Sequence, residues 1–291
     1  MRADLDGPCG AIREIGVRAP APSATMRAME PTHDELLAGA LAAAEAGARV
    51  LAERFGGRRR IEHKGAIDLV TDADRAAEAA IVDAIRARFP AHAILAEEGG
   101  ETGESRFRWI VDPLDGTTNY AHGLPQFCTS VACEVDGSIV AGAIVDPMRE
   151  ERFTAVRGGG AFLDGERLHV GDTADLQQAL LATGFPYWVH ERPDEPLALF
   201  GAFVRVARGV RRYGSAALDL AWLAAGRYDG FFEMGLKPWD LAAGVLLVEE
   251  AGGVCSDLDG GPLDLERGDV VAAGKALHPA MIATSRAARG R

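Results

Sequence analysis

The chain has 291 residues, 48% of them hydrophobic and 25% charged, a balance that supports a folded core and excludes a largely disordered protein. Its 31 basic and 43 acidic residues leave a net charge of −12, which argues against direct nucleic-acid binding. An anionic substrate would therefore need a screen, such as metal ions.

Residues 1–30 carry Pro8, Pro20 and Pro22 among scattered charges and lack the apolar core of a signal peptide. They read as a flexible extension, with Met26 or Met29 as alternative starts. No run approaches about 18 uninterrupted apolar residues, so no membrane span is expected. Cys9, Cys128, Cys133 and Cys255 form no C-x-x-C pair and read as reduced thiols of a cytoplasmic protein.

Thr32-His33-Asp34-Glu35 fits a capping box, followed by an Ala/Leu-rich helix to Phe55 that Gly56-Gly57 stops. Arg58-Arg59-Arg60, a solvated surface run, leads into the loop Lys64-Gly65-Ala66-Ile67-Asp68. Thr71-Asp72-Ala73-Asp74 opens a second helix ending near Phe89-Pro90. The period then shortens. Residues 94–96 and 108–111 read as strands, with Pro113 ending the second. Residues 127–134 and 138–146 read as a hairpin around Asp136-Gly137. Residues 153–156 and 161–163 extend the antiparallel character around Gly158-Gly159-Gly160. Helices are expected over 196–208, 215–225, 238–251 and 279–288, and strands over 228–233, 253–255 and 269–273. The pattern predicts an α+β chain in stacked layers, divided near residue 180 into parts 31–180 and 181–291.

Carboxylates gather where apolar segments end: Glu97-Glu98, Asp112 and Asp115, Asp68 with Asp72, and Asp240 after Trp239. In Asp112-Pro113-Leu114-Asp115-Gly116-Thr117-Thr118, two hard oxygen ligands flank a backbone carbonyl, just before a helix start with free amides. Mg2+ prefers such oxygens and bridges to phosphate, and a helix start favours phosphate. Taken alone, an Asp-Pro turn before a capped helix accounts for this segment equally well. Of the histidines, His63, His92, His122, His169, His190 and His278 show no metal spacing and read as solvated loop or capping residues. Cys128 and Cys133 read as small core residues. Trp109, Trp222 and Trp239 read as packing residues, and Tyr187-Trp188 as a pocket rim.

Four ordered motifs together resemble the inositol monophosphatase family of magnesium-dependent, lithium-sensitive sugar phosphatases. They are Lys64-Gly65-Ala66-Ile67-Asp68-Leu69-Val70-Thr71-Asp72, Leu95-Ala96-Glu97-Glu98, the run from Trp109 to Tyr120, and Trp239-Asp240-Leu241-Ala242-Ala243-Gly244 with Glu250-Ala251-Gly252-Gly253. The similarity spans roughly residues 32–285. It implies a layered αβαβα fold and a phosphomonoesterase acting on myo-inositol monophosphate.

By the same resemblance, Glu97, Asp112 and the Leu114 carbonyl hold a first Mg2+, and Asp112, Asp115 and Asp240 a second, with a weaker third ion near Glu97. Two cations suit an in-line displacement at phosphorus. Thr117, paired with Asp72, orients and deprotonates the attacking water, and the Gly116 and Thr117 amides hold phosphate oxygens. Lys64 and Asp68 belong to a mobile loop near the metals. Asp115, Ala216, Glu233 and Asp240 meet substrate hydroxyls, although Glu233 also reads as an ordinary strand-end glutamate. Gly99 stands where many relatives carry serine or threonine, and Thr183-Gly184-Phe185-Pro186 leaves one side of the pocket unassigned. Alternative substrates within the superfamily are histidinol phosphate, fructose 1,6-bisphosphate and 3′-phosphoadenosine nucleotides. The resemblance also implies a homodimer and allows a regulatory protein partner beside the phosphorylated polyol.

Overall fold

Thr32 opens the fold with a reciprocal cap: its hydroxyl accepts the Glu35 amide at 3.2 Å, and the Glu35 carboxylate accepts the Thr32 amide at 2.8 Å. A computed structural model of the chain describes residues 30–56, 61–63 and 69–290. Residues 1–29, Arg58-Arg59-Arg60, Lys64 and Asp68 lie outside the described residues. Helix α1 (His33–Arg54) buries Leu36, Ala40, Ala43, Ala44, Ala48 and Leu51. Strands β1 (Ile61–His63) and β2 (Leu69–Thr71) pair antiparallel, and α2 (Asp72–Arg88) follows directly. The two helices approach closely at Gly47, where an added Cβ would fall 2.7 Å from Ile81.

Strands β3 (Ala93–Ala96), β4 (Gly100–Thr102) and β5 (Phe107–Asp115) come next, then a six-residue helix, α3 (Thr117–His122). The remaining strands of this sheet are β6 (Cys128–Val135), β7 (Ser138–Asp146), β8 (Glu151–Val156), β9 (Gly160–Leu163) and β10 (Glu166–Arg167). Together they form an eight-stranded sheet in the order β10-β9-β8-β7-β6-β5-β3-β4, antiparallel except for β3 beside β5. Asp136 and Gly137 both take positive φ, 49° and 82°, which is what a two-residue turn matched to the strand twist requires. Pro113 does not end β5 as expected. The strand absorbs the missing amide in a bulge between Asp112 and Asp115 and pairs Asp115 with Cys128.

The second part contains β11 (Leu180–Thr183), α4 (Asp194–Val206), β12 (Gly209–Arg211), α5 (Ala216–Ala224), β13 (Gly230–Glu233), α6 (Pro238–Glu250), β14 (Gly253–Ser256), β15 (Val270–Gly274) and α7 (His278–Ala288). Its five-stranded sheet runs β12-β11-β13-β15-β14, with β11 parallel to both neighbours.

Three apolar clusters define five layers. α1 and α2 cover one face of the large sheet, with Trp109, Val111 and Val131 between them. α5 and α6 lie between the two sheets, contributing Leu218, Leu220, Leu246 and Leu247. α4 and α7 cover the outer face of the small sheet through Leu199, Phe203 and Met281. The result is the layered αβαβα, mixed α+β architecture. Among the described residues no helix is long and apolar enough to cross a membrane.

Two histidines depart from their expected solvated positions. His92 is buried, with its ring stacked on Phe89 and Phe107 at 4.9 and 4.6 Å, and it accepts the Trp109 indole N–H at 3.1 Å. His278 is half-buried at the start of α7, 2.9 Å from the Ser256 hydroxyl. Both serve packing.

Candidate active site

The bulge in β5 determines where the acids point. Asp112 is 1% exposed, and its Oδ1 accepts the Leu114 amide at 3.0 Å, so the side chain folds over the bulge. Asp115 then leaves the strand beside it. Asp240 arrives from the first turn of α6, held by the Lys237 amide at 2.7 Å, with Pro238 as a preorganised first helical residue. One carboxylate oxygen from each of Asp112, Asp115 and Asp240 falls within 4.8 Å of the others. Glu97, at the end of β3, is tied to β5 by its amide (3.2 Å to the Val111 carbonyl) and lies close enough for its charge to act on Asp112.

Gly116 follows at φ 96°, and an added Cβ there would fall 2.8 Å from the Gln126 carbonyl oxygen. Only glycine satisfies both the backbone angle and the space. Gly116 caps α3 with its backbone alone, no side chain satisfying the helix start. Asn119 and Tyr120 anchor this short helix. The Asn119 amide donates to the Gln126 and Tyr213 carbonyls at 2.8 and 2.7 Å, and the Tyr120 hydroxyl donates to Leu51 at 3.0 Å.

The partner of Thr117 is Asp74, not Asp72. The Thr117 hydroxyl lies 3.1 Å from Asp74 Oδ1 and 3.0 Å from the Leu114 carbonyl. Asp74 is fully buried. Asp72, the first residue of α2, is exposed and pairs with Arg54 at 3.3 Å. Two residues along a helix reverse the direction of a side chain, and α2 turns position 74 inward. Nearby, the Glu78 carboxylate accepts the Glu98 amide at 2.8 Å and fills the space a side chain at Gly99 would need.

On the other side of the acids, α5 presents its first turn to Asp115. Asp115 Oδ2 accepts the Ser215 hydroxyl at 2.6 Å and the Ala217 amide at 2.7 Å, with the Cys128 thiol at 3.8 Å. The Ala216 amide also faces this carboxylate. Glu233, at the end of β13, is buried and receives the Gly184 amide. Asp219, also on α5, is buried within reach of the Glu233 and Asp115 charges, and its Oδ1 has no hydrogen-bond partner among the described residues. Sequence reasoning did not single out Asp74, Glu78 or Asp219. Asp74 stood inside a quoted motif; Glu78 and Asp219 carried no local signal.

Electrostatics mark these acids as a site where negative charge is crowded. Burial, then the charges of Glu97, Asp115 and Asp240, pushes the Asp112 carboxyl well above the usual carboxylate range. Burial raises Asp115 as well, opposed by its hydrogen bonds from Ser215 and α5. Burial and then the Asp115 charge push Asp240 up to about 7, and burial and then Asp240 push Glu233 up to about 8. No Lys or Arg ion-pairs with Asp112, Asp115 or Asp240 among the described residues. Converging oxygen donors without an ion-paired counter-charge among the described residues fit a hard divalent cation, and the acidic cluster could hold one. Cys128 and Cys133 are buried and free, and burial raises both thiols, that of Cys133 to about 12, so neither is a nucleophile at neutral pH.

A profile of the inositol monophosphatase family matches residues 32–289. The chain belongs to the inositol monophosphatase family. The Nus factor SuhB of Pseudomonas aeruginosa is 48% identical over 230 residues, covering 77% of this chain and 85% of that protein. The chloroplastic phosphatase IMPL1 of Arabidopsis thaliana is 44% identical over 248 residues, covering 82% of this chain and 67% of that one. The solved inositol monophosphatase of the cyanobacterium Anabaena (Nostoc) superposes with a TM-score of 0.79 at 40% identity, covering 86% of this chain and 95% of that chain. Family membership makes the chain a phosphatase by type, and its acidic cluster lies where β5 and α6 bring the two signature segments together.

Proposed function

We propose that the protein is a Mg2+-dependent phosphomonoesterase that hydrolyses myo-inositol monophosphate to inositol and phosphate. The convergence of the buried Asp112 and Asp115 with the half-buried Asp240, none of them ion-paired among the described residues, carries this proposal. Glu97, Asp112 and the Leu114 carbonyl would hold one cation and Asp112, Asp115 and Asp240 a second. The cations would supply Lewis acidity toward the phosphoryl group and the attacking water.

The chain's own residues do the rest. The Thr117 hydroxyl, buried beside Asp74, orients the water, and Asp74 takes the proton through it. The Gly116 and Thr117 amides, at a helix start without a side-chain cap, hold phosphate oxygens as charge develops on them. Glu233 accepts substrate hydroxyls once a cation beside Asp240 offsets the negative charge that helps to raise it, because an ionised carboxylate is acceptor-only and suits a polyol. Asp115 and Asp240 border the same space.

Phosphate release from inositol 1-phosphate with and without millimolar Mg2+ tests this assignment. Turnover that needs the metal and is lost in Asp112→Asn supports it; no turnover at any Mg2+ concentration overturns it.

The name Nus factor carried by relatives at 48% identity favours a second role as a regulatory protein partner. A pull-down of transcription-machinery proteins from native lysate by Asp112→Asn tests that role apart from turnover. We also place the protein in the cytoplasm as a homodimer. Buried free thiols at Cys128 and Cys133 fit the first. Exposed Leu124, Met148 and Tyr213 fit the second, and light scattering that finds a monomer would refute it.

A further inference from the structure

The segment Thr183-Gly184-Phe185-Pro186 borders the pocket through a single close approach. A Cβ built on Gly184 would fall 2.5 Å from both Cδ and Oε2 of Glu233, and nearer still to Oε1. Its three nearest atoms all belong to that one carboxyl group, so the first thing a methyl at this position meets is the end of one side chain. The backbone cannot open to make room, because β11 and β13 run parallel in register, with Thr183 beside Phe232. The Thr183 hydroxyl locks that row by donating to the Phe232 carbonyl at 2.6 Å. Nor can the carboxylate swing freely into water, since Glu233 is only 7% exposed.

We propose that Gly184 is a specificity-determining, positioning residue: the absent side chain leaves the space in which the Glu233 carboxylate is held, and so selects phosphate esters whose leaving group bears hydroxyls. This rests on Glu233 accepting substrate hydroxyls, as in the function proposed above. Gly184→Ala shifts the carboxylate from its seat and breaks its bond to the Gly184 amide, while the fold is kept. The effect falls on recognition of the polyol, not on the metal ligands or Thr117.

The experiment compares kcat/KM for inositol 1-phosphate with kcat/KM for 4-nitrophenyl phosphate, which carries no polyol, in four full-length proteins with Mg2+. These are the natural chain, Gly184→Ala, Glu233→Ala and the double variant. Losing a hydrogen bond to a charged group predicts that Gly184→Ala lowers the ratio by about tenfold or more, mainly through KM. Because both substitutions act on one carboxylate, the double variant stays within about twofold of Glu233→Ala alone.

A ratio unchanged in Gly184→Ala, or a further fall of about tenfold in the double variant, overturns the inference and leaves the proposed function standing. A ratio unchanged in Glu233→Ala removes the hydroxyl-acceptor role and the inference together. A natural chain that hydrolyses neither ester refutes the proposed function, and the inference with it.

Discussion

Asp74→Asn and Asp72→Asn separate two acids that lie two residues apart and, on this structure, differ entirely in role. Asp74 is fully buried and Thr117 is 9% exposed, so the 3.1 Å contact between them is shielded from water. Asparagine keeps the volume and an acceptor oxygen for the Thr117 hydroxyl but cannot take a proton. Removal of a general base typically costs about 10²–10⁴-fold in rate, or about 2.7–5.4 kcal/mol of barrier. Asp72 forms an exposed pair with Arg54, a contact generally worth about 0–1 kcal/mol in stability. The assay is phosphate release from inositol 1-phosphate at saturating Mg2+, with circular dichroism as a control for folding. Asp74→Asn should lose about two to four orders of magnitude in kcat. Asp72→Asn should stay within a few-fold. Full turnover in Asp74→Asn, or a collapse confined to Asp72→Asn, refutes the assignment.

Three further outcomes follow from the geometry. Gly116→Ala forces a side chain into a φ of 96° and against the Gln126 carbonyl, which should cost about 2 kcal/mol or more and lower the melting temperature by roughly 4–8 °C in thermal denaturation. Ser215→Ala removes the 2.6 Å hydrogen bond that orients Asp115, so calorimetry should show Mg2+ affinity falling by about 10–100-fold. In metal-free protein, Asp240 and Glu233 titrate near 7 and 8, whereas unfolded carboxyls titrate near about 4. The folded state therefore binds more protons between those limits. The associated stability is present below about pH 4 and is lost as pH rises to about 8. Melting of metal-free protein should therefore fall from pH 6 to pH 8, and Mg2+ should raise it more at pH 8 than at pH 6.

The sequence revealed the ligand types more readily than their orientation. Asp112, Asp115 and Asp240 stood out because each lies at the edge of an apolar segment, and the structure brings them together. The Asp136-Gly137 hairpin was legible because two consecutive positive φ values select those residue types. β11 was not, since Leu180-Leu181-Ala182-Thr183 pairs parallel on both sides and shows no alternation between faces. The bulge after Pro113 was also hidden, because a proline signals a lost amide without saying whether the strand ends or buckles. Asp72 and Asp74 sit in the same helical turn, so composition alone could not say which faces Thr117. That depends on how α2 is rotated against its neighbours. Asp219 and Gly184 were silent for a related reason: their significance comes from a carboxylate on β13, far along the chain.

If Asp112, Asp115, Asp240 and Glu97 form a divalent-cation site, an ion must be found between their carboxylates. Anomalous diffraction from crystals soaked in Mn2+, an electron-rich substitute for Mg2+, tests it most directly. A cation site gives a peak with carboxylate oxygens of Asp112, Asp115 and Asp240 at roughly 2.0–2.3 Å, and density toward Glu97. Ordered carboxylates with no peak between them at millimolar Mn2+ would contradict it.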